Sequence, residues 1–370
     1  MMLASHPTYL VADPPGAPRT LLCVADGPGA TWRISFEIPL RPMRAAGELR
    51  LLATTEAAVI AHGVAPDELV RWLRDEAVSV VVLSRTNGAA VRPLIRAART
   101  LRIAVVYFLD DDLLAVPDEL GAAKVALYRE LPRMAAIRYA LANADVVYAS
   151  TRLLGHRLRA YAEHVAVVAG AMYCATGELA PPPPARVRRF GYMGTAGHAA
   201  DLAVVADAIH ATLDRYDDVG FTIFGTLKRP GWLARWGDRV AIEEGVADYD
   251  AFLAKLATLG WSAALAPLKR TPFNMTKANT KFIEYTAAAL PTVVSAGPVY
   301  VDPVAANACL SATTPEEWTR AIAALLDDPG AANAMVERAQ GFTALTYPVT
   351  RLTAQVAGVV DQAIAVAAAR

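Results

Sequence analysis

At 370 residues the chain is too long for one ordinary hydrophobic core, so two domains are expected. Its 36 basic and 36 acidic residues cancel, which excludes a general nucleic-acid binder while leaving room for a local basic site. The mean hydropathy of +0.29 owes much to alanine, and the longest uncharged stretch, 285–301, is broken by Pro291 and Pro298, so no membrane span is expected.

Residues 1–18, with Pro7, Pro14, Pro15 and Pro18, are expected to form an irregular lead-in. They carry no basic segment ahead of an apolar one, so no secretory signal is expected. Apolar strands are expected at 21–25, 48–54, 78–83, 103–109, 145–149 and 165–168. Between them lie the turn Asp26-Gly27-Pro28-Gly29-Ala30, a helix opened by Pro66 that carries Leu69, Trp72 and Leu73, and a helix at 93–101. Such alternation predicts a parallel sheet covered on both faces, a first domain spanning 19–171. The run Pro181-Pro182-Pro183-Pro184 cannot join a helix or a central strand and marks a stiff linker at 172–187.

A second series follows over 188–345. Strands are expected at 189–193, 221–224, 240–242, 262–267 and 292–295. A helix puts Leu202, Val205, Ile209 and Leu213 on one face, and others are expected at 251–259 and 276–289. Thr314-Pro315-Glu316-Glu317 has the form of a helix start, with Thr as N-cap, Pro at N1 and Glu at N3. A last helix, at 349–368 within a segment 346–370, could cross back to the first domain. The fold class is therefore α/β, with two Rossmann-like doubly wound domains facing a cleft. Cys23, Cys174 and Cys309 show no CxxC spacing, which argues for a reducing, cytoplasmic setting and against a zinc site.

The most informative stretch is 272–285. If it is helical from Thr276, then Lys277, Lys281 and Glu284 share one face at i, i+4 and i+7. Lysines are misplaced at a helix N-terminus unless an anion sits there. A phosphorylated ligand would supply that anion, and Glu284 could accept hydrogen bonds from its hydroxyls. A solvated Lys/Glu face is the bland alternative, but the favourable order places Glu before Lys, the reverse of Lys281 and Glu284. Asn274 lies in the irregular loop at the helix start.

The turn Gly191-Tyr192-Met193-Gly194-Thr195-Ala196-Gly197-His198 joins a strand to a helix and suits phosphate. Its spacing is not the dinucleotide fingerprint, so a nicotinamide cofactor is disfavoured. His198 could donate to a phosphate or a sugar hydroxyl, or face solvent, and Asp201 could orient it or favour the helix start. Asp110, Asp111 and Asp112 follow the 103–109 strand, where ligands meet open sheets. They could bind Mg²⁺, accept hydrogen bonds from an acceptor or cap the next segment. An acceptor-side or structural role is favoured over metal, because the pattern is common by chance and lies in the half without the basic face. Arg85 belongs to a polar loop directly after a strand. Arg33, Arg41, Glu243 and Glu244 also fall near strand ends, where plain surface charge is the simpler reading.

Together these residues resemble the GT-B glycosyltransferases, specifically the retaining family-4 type (group 1). The segment Lys281-Phe282-Ile283-Glu284-Tyr285-Thr286-Ala287-Ala288-Ala289-Leu290-Pro291-Thr292-Val293-Val294 is similar to that family's K-x-x-E-Y-x-A-x-G-x-P-V-V. The resemblance covers about 188–300, and in the first half only the general pattern and the 110–112 region share it. It implies ribose binding by Glu284, diphosphate binding by Gly194, Thr195, Lys277 and Lys281, and retention without a metal. Catalytic roles then fall to Lys281, Glu284 and Lys277, and donor contacts also to His198 and Asn274. Arg85 and Asp110–Asp112 are left for the acceptor side. The expected partners are a UDP- or GDP-sugar and a glycan or lipid-linked acceptor of the cell envelope, with no further cofactor. A lipid-linked acceptor would bring the protein to the inner face of the membrane. Alternatives are a non-catalytic sugar-nucleotide or glycan-binding protein, or a GT-B-like epimerase or phosphorylase. The family's second glutamate, eight residues before Glu284, is Thr276 here, and its frequent Arg and Lys pair near Gly194 is absent.

Overall fold

The computed structural model describes residues 6–163, 165–169, 179–183 and 185–370. Cys174, Pro184 and half of the predicted 172–187 connector lie outside them. The first sheet contains β1 (Tyr9–Ala12), β2 (Thr20–Ala25), β3 (Arg50–Thr55), β4 (Val80–Ser84), β5 (Ala104–Leu109), β6 (Val146–Ala149) and β7 (Ala166–Ala169). Their order is β1-β3-β2-β4-β5-β6-β7, parallel except for β1. The second sheet contains β8 (Val187–Gly194), β9 (Gly220–Gly225), β10 (Val240–Glu244), β11 (Trp261–Ala266), β12 (Thr292–Ser295) and β13 (Leu310–Ala312). It is wholly parallel, in the order β10-β9-β8-β11-β12-β13.

The interior strands are continuous apolar runs because both sheet faces are covered. Every residue of β2, β4, β5 and β11 is buried. The lead-in is less irregular than predicted. Its β1 pairs antiparallel with β3, Ala12 opposite Leu52, and alternates between half-buried and exposed residues as an edge strand does.

Helix Thr314–Asp327 begins with the predicted capping box: Thr314 Oγ1 accepts from Glu317 N–H while the Glu317 carboxylate accepts from Thr314 N–H. The final helix, Val349–Ala368, packs on the first sheet, where Val356, Val359, Val360 and Ala363 join a core with Phe36, Phe108 and Tyr148. Each fully buried valine contributes about 1.5 kcal/mol or more, which holds the chain's last element on its first domain.

Among the parallel strands, the order in which strands are added reverses between β2 and β4 in the first sheet and between β8 and β11 in the second. Open α/β sheets bind ligands outside the strand C-termini at these points. Here the two crevices face each other. Two doubly wound domains opposed in this way form the GT-B arrangement.

Candidate functional site

A cleft of about 500 Å³ lies between the crevices. Its floor is where β8 and β11 part company, after Gly191 pairs with Ala264. Tyr285 bridges the gap: its hydroxyl accepts from Met193 N–H at 2.8 Å and donates to Leu265 C=O at 3.0 Å. Gly225 stands beside it with φ +125°, and a Cβ there would lie 2.4 Å from Gly194 O. Only glycine lets the turns after β8 and β9 meet this closely.

Beyond Gly194, Thr195 is extended and Ala196–His198 forms a single 3₁₀ turn before the short helix Ala199–Ala203. Five residues make a weak dipole, so the positive character of this wall comes from side chains. Lys277 and Lys281 both line the cleft, and Lys281 Nζ lies 5.5 Å from the Tyr192 ring centroid.

The predicted lysine helix starts later than expected. Asn274–Thr276 is a 3₁₀ turn, Lys277 is extended with ψ 157°, and the α-helix runs from Thr280 to Ala287. Side chains hold the turn against helix: Thr271 Oγ1 accepts from Asn274 N–H at 3.1 Å, and Thr276 Oγ1 donates to Phe273 C=O at 2.8 Å. Thr276 C=O accepts from the Thr151 hydroxyl of the first domain at 2.7 Å. Lys281 and Glu284 thus share a helix face at i and i+3, while Lys277 reaches the cleft from the loop.

Glu284 is 8% exposed, and its Oε1 accepts from the Tyr249 hydroxyl at 3.1 Å. Burial raises its pKa to about 7 against the pull of Tyr249 and Lys281. Burial and then the charge of Lys277 lower Lys281 to about 8. The nearby wall is apolar, with Phe224 and Phe252 stacked at 5.0 Å and Val246 and Leu268 beside them.

His198 lines the cleft and holds Asp201 through Nδ1 at 3.0 Å. Asn274 does not line the cleft. It is buried, and its Nδ2 donates to Asp201 Oδ1 and Lys269 C=O, each at 2.9 Å. Its expected donor contact is therefore replaced by a contact with Asp201.

The opposite wall is the end of β5. Asp110 and Asp111 line the cleft, whereas Asp112 turns inward, 0% exposed and paired with Arg157 at 2.9 Å. Asp112 is accordingly removed from the predicted acceptor group. Arg85, buried with φ +58°, pairs with Asp110, with Asp26 at 3.0 Å and with Asp111 at 3.5 Å. The triple aspartate is thus split, and its cleft-facing members already have a cation. Burial pushes Asp111 upward, but Lys277, Arg85 and Lys124 outweigh it and leave its carboxyl below the ordinary range. Among the described residues, no three-residue group of His, Cys, Asp and Glu is arranged to hold a metal. A second hollow of about 410 Å³ continues from Asp110 and Asp111 past Asp26, Trp32, Arg85 and Lys124.

Arg33 and Arg41 lie on a helical stretch after the first turn and not at strand ends. Arg33 bridges the domains to Asp248 at 2.9 Å and Asp250 at 3.1 Å, and Arg41 is 3.7 Å from Asp250. Glu243 pairs with Lys255, and the residues that line the cleft beyond β10 are Gly245, Val246 and Ala247. Phe224, Val246 and Phe252 were not legible as site residues, since apolar side chains at such positions read as core. Tyr249 carried only one signal, its place just after the helix-capping Asp248.

No protein-family model matches the chain, and no curated protein matches it. Solved structures do. Anabaena HepE in complex with UDP-glucose superposes with a TM-score of 0.64 at 14% identity, covering 92% of this chain and 99% of that one. Sucrose-phosphate synthase from Thermosynechococcus elongatus gives 0.64 at 13% identity, covering 94% and 100%. A candidate UDP-N-acetylglucosamine 2-epimerase from Listeria monocytogenes gives 0.55 at 12%, covering 93% and 96%. At such identities the likeness establishes the GT-B fold.

Proposed function

We propose that the protein transfers a sugar from a nucleoside diphosphate donor to a hydroxyl acceptor. The observation that carries this reading is the convergence of Lys277, Lys281, His198 and Glu284 on one interdomain cleft beside an apolar wall. A nucleobase fits against Phe224, Val246 and Phe252, and ribose hydroxyls can donate to Glu284. The diphosphate lies at Gly194 and Thr195 between Lys277 and Lys281. These lysines stabilise charge on the departing nucleotide, the main catalytic task, in a partly dehydrated site. The lysines supply the charge that a divalent metal would otherwise bring, so transfer is metal-independent. Same-face attack, with an oxygen of the leaving phosphate taking the acceptor's proton, gives retention. The acceptor enters by the hollow past Trp32 and Lys124, with Asp111 at its inner end. Arg85 is saturated by carboxylates and is unsuited to a phosphate nucleophile, so a glycan hydroxyl is favoured, on a free or lipid-linked chain of the cell envelope. The protein then works in the cytoplasm, at the inner membrane face where its acceptor is lipid-linked.

The likeness to HepE bound to UDP-glucose supports the donor class. Calorimetry with UDP-glucose, GDP-mannose and the free nucleotides tests it: a nucleotide sugar should bind wild type and bind Lys281→Ala much less. Failure of every nucleotide sugar to bind would remove the reading. The Listeria likeness favours a second reading, epimerisation of the sugar. Products separate the two, since transfer releases the nucleoside diphosphate and epimerisation returns an isomeric nucleotide sugar.

A further inference from the structure

His198 is set in a fixed frame. Asp201 is 3% exposed, with Oδ2 on His198 Nδ1 at 3.0 Å. Its Oδ1 accepts from Lys269 N–H and from Asn274 Nδ2, both at 2.9 Å. Burial opposes ionisation of Asp201, but the His198 contact, the Lys269 N–H and the nearby lysines keep its carboxyl below the ordinary range. An ionised carboxylate can only accept, so neutral His198 carries its proton on Nδ1 and its lone pair on Nε2. The expected donation from His198 to a phosphate therefore needs a second proton.

The charged groups acting on the ring are Lys281 on the helix Thr280–Ala287, Lys277 in the loop before it, Asp111 at the end of β5, and Asp201 on its own element. Glu119, on the segment packed against the turn, is paired with Lys269. In the free protein the charge of Lys281, then burial, lowers His198 to about 4 against the pull of Asp201. The ring is neutral at pH 7. A diphosphate between Lys277 and Lys281 cancels their repulsion and sets anionic oxygens against a lone pair. One proton on Nε2 converts that repulsion into a charge-assisted hydrogen bond.

We propose that His198 takes up a proton from solvent when the diphosphate of a nucleotide sugar docks, with Asp201 as its prepared counter-ion and Asn274 as a positioning residue acting through Asp201. The inference rests on the nucleotide-sugar reading above and gives that site a built-in pH dependence. Its proton stays on the protein while the ligand is bound and returns to solvent on release.

The test is titration calorimetry of the full chain with UDP-glucose at pH 7, in two buffers of different ionisation enthalpy. The diester phosphates of UDP-glucose do not titrate there, so the proton count belongs to the protein. Because Lys281 and Glu284 also exchange protons, the informative number is wild type minus His198→Gln. That difference should approach about one proton, and wild-type affinity should fall from pH 6 to 8 more steeply than the variant's. Should the variant not fold, nitrogen-15 NMR of wild-type histidines replaces it, with Nε2 of His198 passing from unprotonated to protonated on saturation. Equal proton uptake in both proteins, or an Nε2 that stays unprotonated in the complex, overturns this inference and leaves the donor reading standing. Absence of any nucleotide-sugar binding overturns both.

Discussion

Glu284 accepts a hydrogen bond of 3.1 Å from the Tyr249 hydroxyl, tying the helix Thr280–Ala287 to the helix Tyr249–Thr258 at the edge of the cleft. The bond holds a buried carboxyl whose pKa is raised from 4.5 to about 7, chiefly by burial. Between those values the folded protein keeps a proton that the unfolded chain has released. Relative stability is thus fully present below about 4.5 and lost as pH rises through about 7. Glu284→Gln should remove this loss. Thermal unfolding from pH 5 to 8 should show the variant gaining on wild type, with a Tm advantage of about 2–4 °C at pH 8. Binding should move the other way, UDP-glucose affinity dropping about tenfold or more as a charged acceptor is lost. A Tm difference independent of pH would show that the carboxyl ionises freely in the fold.

Lys281 has the opposite sign. Its pKa is lowered from 10.5 to about 8 by burial and by Lys277. The folded state binds fewer protons than the unfolded one between those values, so stability rises with pH across that window and is lost as pH falls through about 8. Lys281→Met should therefore be at least as stable as wild type at pH 7. It should nevertheless lose about 10- to 100-fold in UDP-glucose affinity, as one charge-assisted contact disappears. Salt titration gives a further check, since wild-type affinity should weaken with ionic strength more than the variant's. A variant that is both unstable and weakly binding would make Lys281 a structural residue.

What the sequence revealed follows from which physics is local. The strands at β2, β4, β5 and β11 are legible because burial on both faces demands unbroken apolar runs. β1 is not, since its four residues between Pro7 and Pro14, alternately half-buried and exposed, gain strand character only from pairing with β3. The lysine segment shows the same division. Lys281 and Glu284 stand out by charge and spacing, yet Lys277 is extended because Thr271, Asn274 and Thr276 compete locally for the backbone. Asn274 looks like a ligand in sequence because nothing local foretells Asp201, 73 residues away, as its partner. The aspartate run was separable only in three dimensions, where Arg85 takes Asp110 and Arg157 takes Asp112.

Gly225 should be the least replaceable glycine of the cleft. Its φ of +125° is unfavourable for any side chain, and a Cβ would sit 2.4 Å from Gly194 O, a backbone atom that cannot rotate away. Gly225→Ala should cost about 1–3 kcal/mol from backbone strain. It should also weaken UDP-glucose binding, because the turns after β8 and β9 must separate. Gly231→Ala is the control, with no heavy atom within 4 Å of the added Cβ. Urea unfolding of both proteins measures the difference, and equal midpoints would contradict the close approach of Gly225 to Gly194.

Arg85 anchors the first-domain side of the cleft and lines the hollow beside it. Its guanidinium pairs with Asp110, lies 3.0 Å from Asp26 and 3.5 Å from Asp111, and its side chain is only 10% exposed. Arg85→Met would leave these carboxylates together without their cation. Removing one partner of a buried pair leaves an uncompensated charge and costs about 3–5 kcal/mol. Arg85→Lys should recover only part, because one ammonium cannot reach three carboxylates as a planar guanidinium does. Adding Asp110→Asn to Arg85→Met should also restore stability, since both members of the closest pair then lose charge. Urea unfolding gives these energies. Where Arg85→Met stays folded, UDP-glucose affinity should remain near wild type, since Lys281, Glu284 and His198, the proposed donor groups, belong to the second domain. Turnover with a glycan acceptor should fall, because the hollow past Trp32 and Lys124 loses its shape. Loss of UDP-glucose affinity as well would mean that the charge cluster serves the donor, and the division of the cleft into donor and acceptor walls would fail.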